Sequence, residues 1–105
     1  MKSYNLVFLE TAKRDMTEIV RYISRNLSNP SVAEKLAGKM VEVAEQLKGL
    51  PYKNRVYNPI KPLKQEYRGQ VVDNYIMFYY IDENEKLIIV SRVVYGKRNY
   101  EKFLM

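Results

Sequence analysis

The 105-residue chain has no cysteine, no histidine and no tryptophan. Without cysteine it has no disulfide, no thiolate zinc site and no thiol nucleophile. Without histidine it lacks the usual general base near neutral pH and the commonest neutral metal ligand. Its four glycines build no Walker-type or dinucleotide-type phosphate loop. No run reaches the roughly 18 apolar residues of a membrane-spanning helix. Met1-Lys2-Ser3-Tyr4-Asn5 leads straight into a strand pattern and carries no signal-peptide signature. The cytoplasm is therefore the expected compartment. No metal or other cofactor is implied, and any catalysis would rest on Arg, Lys, Tyr, Asp or Glu.

What is present is one basic domain, residues 1–105. Apolar residues make up 47% and charged residues 29%, ordinary for a soluble globular chain. A chain this short buries roughly 60–70% of its unfolded surface, enough for one modest core. Eighteen Lys and Arg against twelve Asp and Glu leave a net charge of +6. That excess suits an anionic partner: nucleic acid, an acidic protein or a membrane surface.

The periodicity predicts a strand over 4–9 and then a helix capped by Thr11. Ala12, Met16, Ile19, Val20, Ile23 and Leu27 recur every three or four residues as one buried stripe. Ser28-Asn29-Pro30 breaks the pattern, with Asn29 as N-cap and Pro30 at the first position of a second helix. Its apolar stripe is Ala33, Leu36, Ala37, Met40, Val43, Ala44 and Leu47, and Gly49 is expected to end it in a left-handed conformation. The short connection makes the helices an antiparallel hairpin. Residues 50–65, punctuated by Pro51, Pro59 and Pro62, read as an irregular basic loop: either a functional loop or a solvated connector. Strands come next at 66–72, 75–81 and 87–95, joined by Asp73-Asn74 and by an acidic turn, Asp82-Glu83-Asn84-Glu85. That turn lacks the spacing and the glycine of a calcium loop, so it reads as an exposed hairpin tip. The fold class is α+β: an N-terminal strand, a helical hairpin and a three-stranded antiparallel meander, with the helices on one sheet face. The pairing of the first strand stays open.

Several stretches resemble one family. They are Thr11-Ala12-Lys13-Arg14-Asp15-Met16 with Tyr22-Ile23, Asn29-Pro30-Ser31, Tyr67-Arg68 with Val71-Val72-Asp73-Asn74-Tyr75, and Arg92-Val93-Val94-Tyr95-Gly96-Lys97-Arg98. Their order is similar to the RelE/ParE superfamily of bacterial toxins. The resemblance implies the toxin half of a type II toxin–antitoxin pair, linked to growth inhibition and plasmid stabilisation and silenced by a cognate acidic antitoxin. Members like ParE poison DNA gyrase by binding; members like RelE cut messenger RNA on the ribosome. If this chain is an enzyme, the resemblance implies a metal-independent endoribonuclease using Arg98, Lys97 and Tyr100. Matched by motif, however, the family's strand arginine falls on Ile76 and its C-terminal tyrosine falls near Leu104. Two such losses favour the ParE-like reading; a non-toxic nucleic-acid-binding domain is the third alternative.

Strand parity places Ile76, Phe78 and Tyr80 on one face and Tyr75, Met77, Tyr79 and Ile81 on the other. It puts Arg92 in step with Val90 and Val94. Arg68, Arg92 and Arg98, edged by Tyr67, Tyr80 and Tyr100, are then expected to form a basic, aromatic surface for target or antitoxin. The alternative for Arg92 is an ion pair with Glu66 or Asp73. For Tyr75 and Tyr79 it is core packing with the hydroxyl at the rim.

Overall fold

The computed structural model describes residues 3–57, 65–97 and Leu104. The chain runs β1 (Asn5–Phe8), α1 (Glu10–Arg21), a π-helical turn (Tyr22–Asn26), α2 (Pro30–Gln46), β2 (Arg68–Val72), β3 (Tyr75–Asp82) and β4 (Leu87–Tyr95). This is the α+β order expected from the periodicity. The sheet order is β1-β4-β3-β2. β2, β3 and β4 form the antiparallel meander. β1, left open by the sequence, lies parallel to β4, with Asn5 opposite Leu87 and Phe8 opposite Val90. The helical hairpin supplies the crossover that parallel neighbours require.

Both helices cover one face of this sheet. Leu36, Met40 and Leu47 from α2 and its end pack against Met77, Tyr79, Ile88 and Val90, all buried. Each large side chain removed from water in this way contributes about 1.5–3 kcal/mol. Tyr4, Leu6 and Phe8 point into the same core while Val7 stays exposed, the alternation of a strand with one covered face. Asn29 caps α2 as expected, its side chain accepting from the Val32 N–H at 3.4 Å, with Pro30 at the first position.

Three local expectations are corrected. Thr11 is not a cap: α1 starts at Glu10 with Leu9 at the N-cap position, and the Thr11 hydroxyl donates to the Ser91 carbonyl at 2.7 Å. Gly49 is not left-handed. α2 instead winds out through three-residue turns, Leu47 N–H to Ala44 C=O and onward to Leu50 N–H to Leu47 C=O, which satisfy its last carbonyls. Leu27 leaves the buried stripe and is 57% exposed. The cause is the π turn, closed by Leu27 N–H to Tyr22 C=O at 3.3 Å. One extra residue in that turn rotates the succeeding side chains out of the 3.6-residue phase.

The other sheet face carries a second, smaller cluster. Tyr67, Phe78, Val94 and Leu104 are buried there, with Tyr57, Ile76 and Tyr80 against them. Tyr57 tilts onto Phe78 at 5.5 Å, and Tyr67 meets Tyr80 edge-on at 5.7 Å. A bulge decides which residues reach this face. Phe78 stands opposite Arg92 but Tyr79 stands opposite Val90, so Ser91 is the extra residue. Val90 therefore turns toward the helices and Val94 away from them. The expected common parity of Val90, Arg92 and Val94 does not hold.

Candidate functional site

β1 ends at Phe8, and this leaves the second half of β4 without a strand neighbour on that side. Main-chain groups along such an edge need partners. α1 supplies them from side chains. Thr11 takes the Ser91 carbonyl, and the Asp15 carboxylate accepts the Val93 N–H at 2.9 Å. The same carboxylate holds Arg92 with two bonds, to Nε at 2.7 Å and Nη2 at 2.9 Å. Arg92 is thus an ion-pair residue, as the alternative reading held, but its partner is Asp15 rather than Glu66 or Asp73. Nothing in the local pattern pairs residues 77 positions apart; only the end of β1 brings α1 to this edge.

Beyond that pair, the helices and the end of the sheet enclose a groove of about 1110 Å³. Tyr22, Leu27 and Val32 reach it from the helical hairpin, and Tyr75, Val93 and Tyr95 from the strands. Tyr22, Leu27, Val32 and Tyr95 are all at least 40% exposed. Tyr75 and Tyr95 meet at 5.8 Å between centroids. Burial, with Tyr95 and Tyr22 adding to it, pushes the Tyr75 hydroxyl above its ordinary pKa, so it stays a neutral donor. The rim is charged. Asp15 and Glu18 come from α1, Lys35 and Lys39 from α2, and Lys39 ties to Asp73 of the β2–β3 turn at 2.5 Å. Apolar aromatic surface inside a charged rim is the anatomy of a protein-docking site.

The residues singled out from the sequence do not gather on one surface. Arg68 is on the helix-side face but under the loop that follows α2. Its Nη1 donates to the Asn54 carbonyl at 2.5 Å, its guanidinium lies 4.9 Å from the Tyr52 ring centroid, and Glu66 is 3.6 Å from Nη2. Tyr67 and Tyr80 lie on the opposite face, Tyr67 buried and Tyr80 half-buried. The expected plateau of Arg68 and Arg92 edged by these tyrosines is therefore corrected: the bulge and the two ion pairs separate its members. Lys97 is exposed just past β4. Arg98 and Tyr100 lie outside the described residues. Among the described residues no three acidic side chains gather to hold a metal. The sequence reading missed Tyr22, Leu27 and Val32 as exposed apolar residues. Tyr22 and Val32 each left a signal, standing outside the stripes of their helices, whereas Leu27 stood within one.

Tyr79 is fully buried, and its hydroxyl is not at the rim but donates to the Pro51 carbonyl at 2.9 Å and accepts from Asn54 Nδ2. Burial raises its pKa, partly offset by Asn54 and Arg68. At the acidic hairpin tip the Glu83 carboxylate accepts from Lys86 Nζ at 2.6 Å, from Tyr4 at 2.7 Å and from Tyr52. Lys86 first, then the two hydroxyls, hold the Glu83 carboxyl down at about 2. The Tyr52 hydroxyl is pushed well above its ordinary value, chiefly by its bond to Glu83. These contacts strap residues 50–57 across the sheet, from Tyr79 of β3 to the β3–β4 turn.

Comparison with known proteins bears on the whole chain. The family described as the ParE toxin of the type II toxin–antitoxin system, parDE, matches residues 6–100. No curated protein sequence matches. Among solved structures, the chain is similar to the chromosomal ParDE toxin–antitoxin system from P. aeruginosa, with a TM-score of 0.72 and 17% identity over 90% of this chain and 97% of that one. It is also similar to the toxin–antitoxin complex RelBE2 from Mycobacterium tuberculosis, with a TM-score of 0.63 and 21% identity over 90% and 99%. The archaeal RelE–RelB complex from Pyrococcus horikoshii OT3 gives 0.61 and 12% identity over 93% and 100%. At these identities the structural likeness establishes the fold.

Proposed function

The chain belongs to the ParE toxin family of type II toxin–antitoxin systems, and from that premise we propose that it inhibits growth by binding its target rather than by cutting RNA. One observation carries this reading. The position where a RelE-like nuclease places a phosphate-binding arginine is Ile76, packed against Phe78 and Val94 in the outer-face cluster. The position near its C-terminal tyrosine is Leu104, 5% exposed in the same cluster. RNA cleavage needs donors aimed at the charge that develops on phosphorus, and each one lost costs about a hundredfold to a thousandfold in rate. The hydrocarbon side chains of Ile76 and Leu104 supply none.

The target in this reading is DNA gyrase, engaged by protein–protein contact, and the silencing partner is a cognate acidic antitoxin. The similar solved structures are themselves toxin–antitoxin complexes, and the net charge of +6 suits an acidic partner. Expression without a partner, followed by pulse labelling of DNA and protein synthesis, tests it. DNA synthesis is expected to fall first, unrestored by Lys97→Ala or Arg98→Ala. Protein synthesis falling first and recovering with Arg98→Ala would establish the ribosome-dependent nuclease instead. Undisturbed synthesis of both would reject the toxin reading.

A further inference from the structure

We propose that the open edge of β4 at Val93–Tyr95 is a strand-addition site for an extended peptide segment with aliphatic side chains and an acidic residue turned toward α2, in a register set by Asp15. The inference deepens the proposed function and rests on it only for the identity of the protein that carries the segment.

Ladder parity shows which main-chain groups are open. Gly96 N–H donates to the Asn74 carbonyl at 2.8 Å. Asn74 and Gly96 are therefore a hydrogen-bonded pair, and Tyr75 opposite Tyr95 is a non-bonded one. The N–H and C=O of Tyr95, and of Val93 two residues earlier, point away from β3 toward the side that β1 has vacated. Asp15 takes the Val93 N–H. The Val93 carbonyl and the Tyr95 N–H and carbonyl have no partner among the described residues. They span about 7 Å of strand, long enough to pair a segment of three or four residues.

This edge opens into the groove. The lining takes in Arg92, Val93, Val94 and Tyr95 in succession. Val93 and Val94 send their side chains to opposite faces, so the groove follows the strand's side rather than one face of the sheet. Tyr22, Leu27 and Val32 offer apolar contact along its length. A helix laid in the groove would cover the three main-chain groups without pairing them, a costly arrangement. An extended chain pairs them, with Tyr95 exchanging both of its bonds with one antiparallel residue. Asp15 fixes the register, because its carboxylate already occupies the ladder position at Val93. The rim pairs Asp15–Arg92 and Lys39–Asp73 are internally neutral. Lys35 on the α2 side has no ion partner among the described residues, while Glu18 stands on the α1 side. A carboxylate on the bound segment therefore turns toward α2, and the net charge of +6 draws an acidic segment in.

The test uses the purified full chain and a synthetic probe, acetyl-Glu-Val-Glu-Val-Glu-Val-amide. Two analogues are compared with it, one N-methylated on the valine amides and one on the glutamate amides. At millimolar peptide the Tyr95 amide is expected to exchange at least about tenfold more slowly by NMR. One analogue should lose binding and the other keep it, because only one edge of the peptide faces β4. Lys35→Glu should weaken binding severalfold at low salt. Equal binding of both analogues, unchanged Tyr95 exchange, or slowing at Gly69 and Val71 on the β2 edge instead would overturn the proposal. The growth assay is separate: protection of Tyr95 in a chain that does not inhibit growth leaves this site standing and removes the toxin reading. Growth inhibition with an unprotected Tyr95 does the reverse.

Discussion

Replacing Asp15 by alanine removes one carboxylate and three hydrogen bonds: Arg92 Nε at 2.7 Å, Arg92 Nη2 at 2.9 Å and Val93 N–H at 2.9 Å. The Asp15 side chain is 12% exposed and that of Arg92 23%. Deleting one partner of a buried pair costs about 3–5 kcal/mol. Water can reach part of the Arg92 guanidinium and recover some of that, so about 2–3 kcal/mol is expected, within the range for losing charge-assisted bonds. At about 4–8 °C per kcal/mol for a domain of this size, Tm should fall by about 10–20 °C. The urea midpoint should drop with an unchanged slope, and the Val93 amide should lose protection. Arg92→Met leaves the carboxylate on the Val93 N–H and should cost less, about 1–2 kcal/mol. The double variant should be clearly non-additive. An Asp15→Ala cost under about 1 kcal/mol, or an equally protected Val93 amide, would refute the edge-capping role.

The packing sets three further outcomes. The Glu83 carboxyl titrates below its ordinary value, so the strap it forms with Tyr52 and Tyr4 is intact above the unfolded carboxyl pKa and loosens as pH falls toward about 2; tyrosine fluorescence should report this transition and Glu83→Gln should abolish it. Tyr79→Phe removes a buried hydroxyl that donates to Pro51 and accepts from Asn54, and should cost about 1–2 kcal/mol in urea unfolding while freeing residues 50–57 to faster exchange. Leu104→Ala opens the outer-face cluster and should cost about 2–4 kcal/mol; a neutral result would mean that Leu104 does not close that face.

β3 and β4 were legible because their alternation is local. Ile76, Phe78 and Tyr80 separate from Met77 and Tyr79 in the sequence as they do in the two cores. The α2 boundary was legible because Asn29 and Pro30 act within one turn. Thr11 and Leu27 were misread because their roles depend on something outside their own window. Thr11 answers a carbonyl 80 residues away, and Leu27 comes after a π turn that no propensity announces. Arg68 and Arg92 fall on opposite faces because Ser91 is an extra residue in β4, which takes Arg92 off the face that Val90 shares with Tyr79 and Arg68.

The order of patterns along the chain was enough to settle a strand, a helical hairpin and a meander, since each pattern repeats within a few residues and the hydrophobic effect acts on it directly. Where β1 would pair, that it would stop halfway along β4, and which acid would answer the exposed edge were decided only when distant segments met. Main-chain groups left open by one strand's end are satisfied by whatever the fold brings beside them. At Val93 that is Asp15 of α1; at Tyr95 the fold brings a groove.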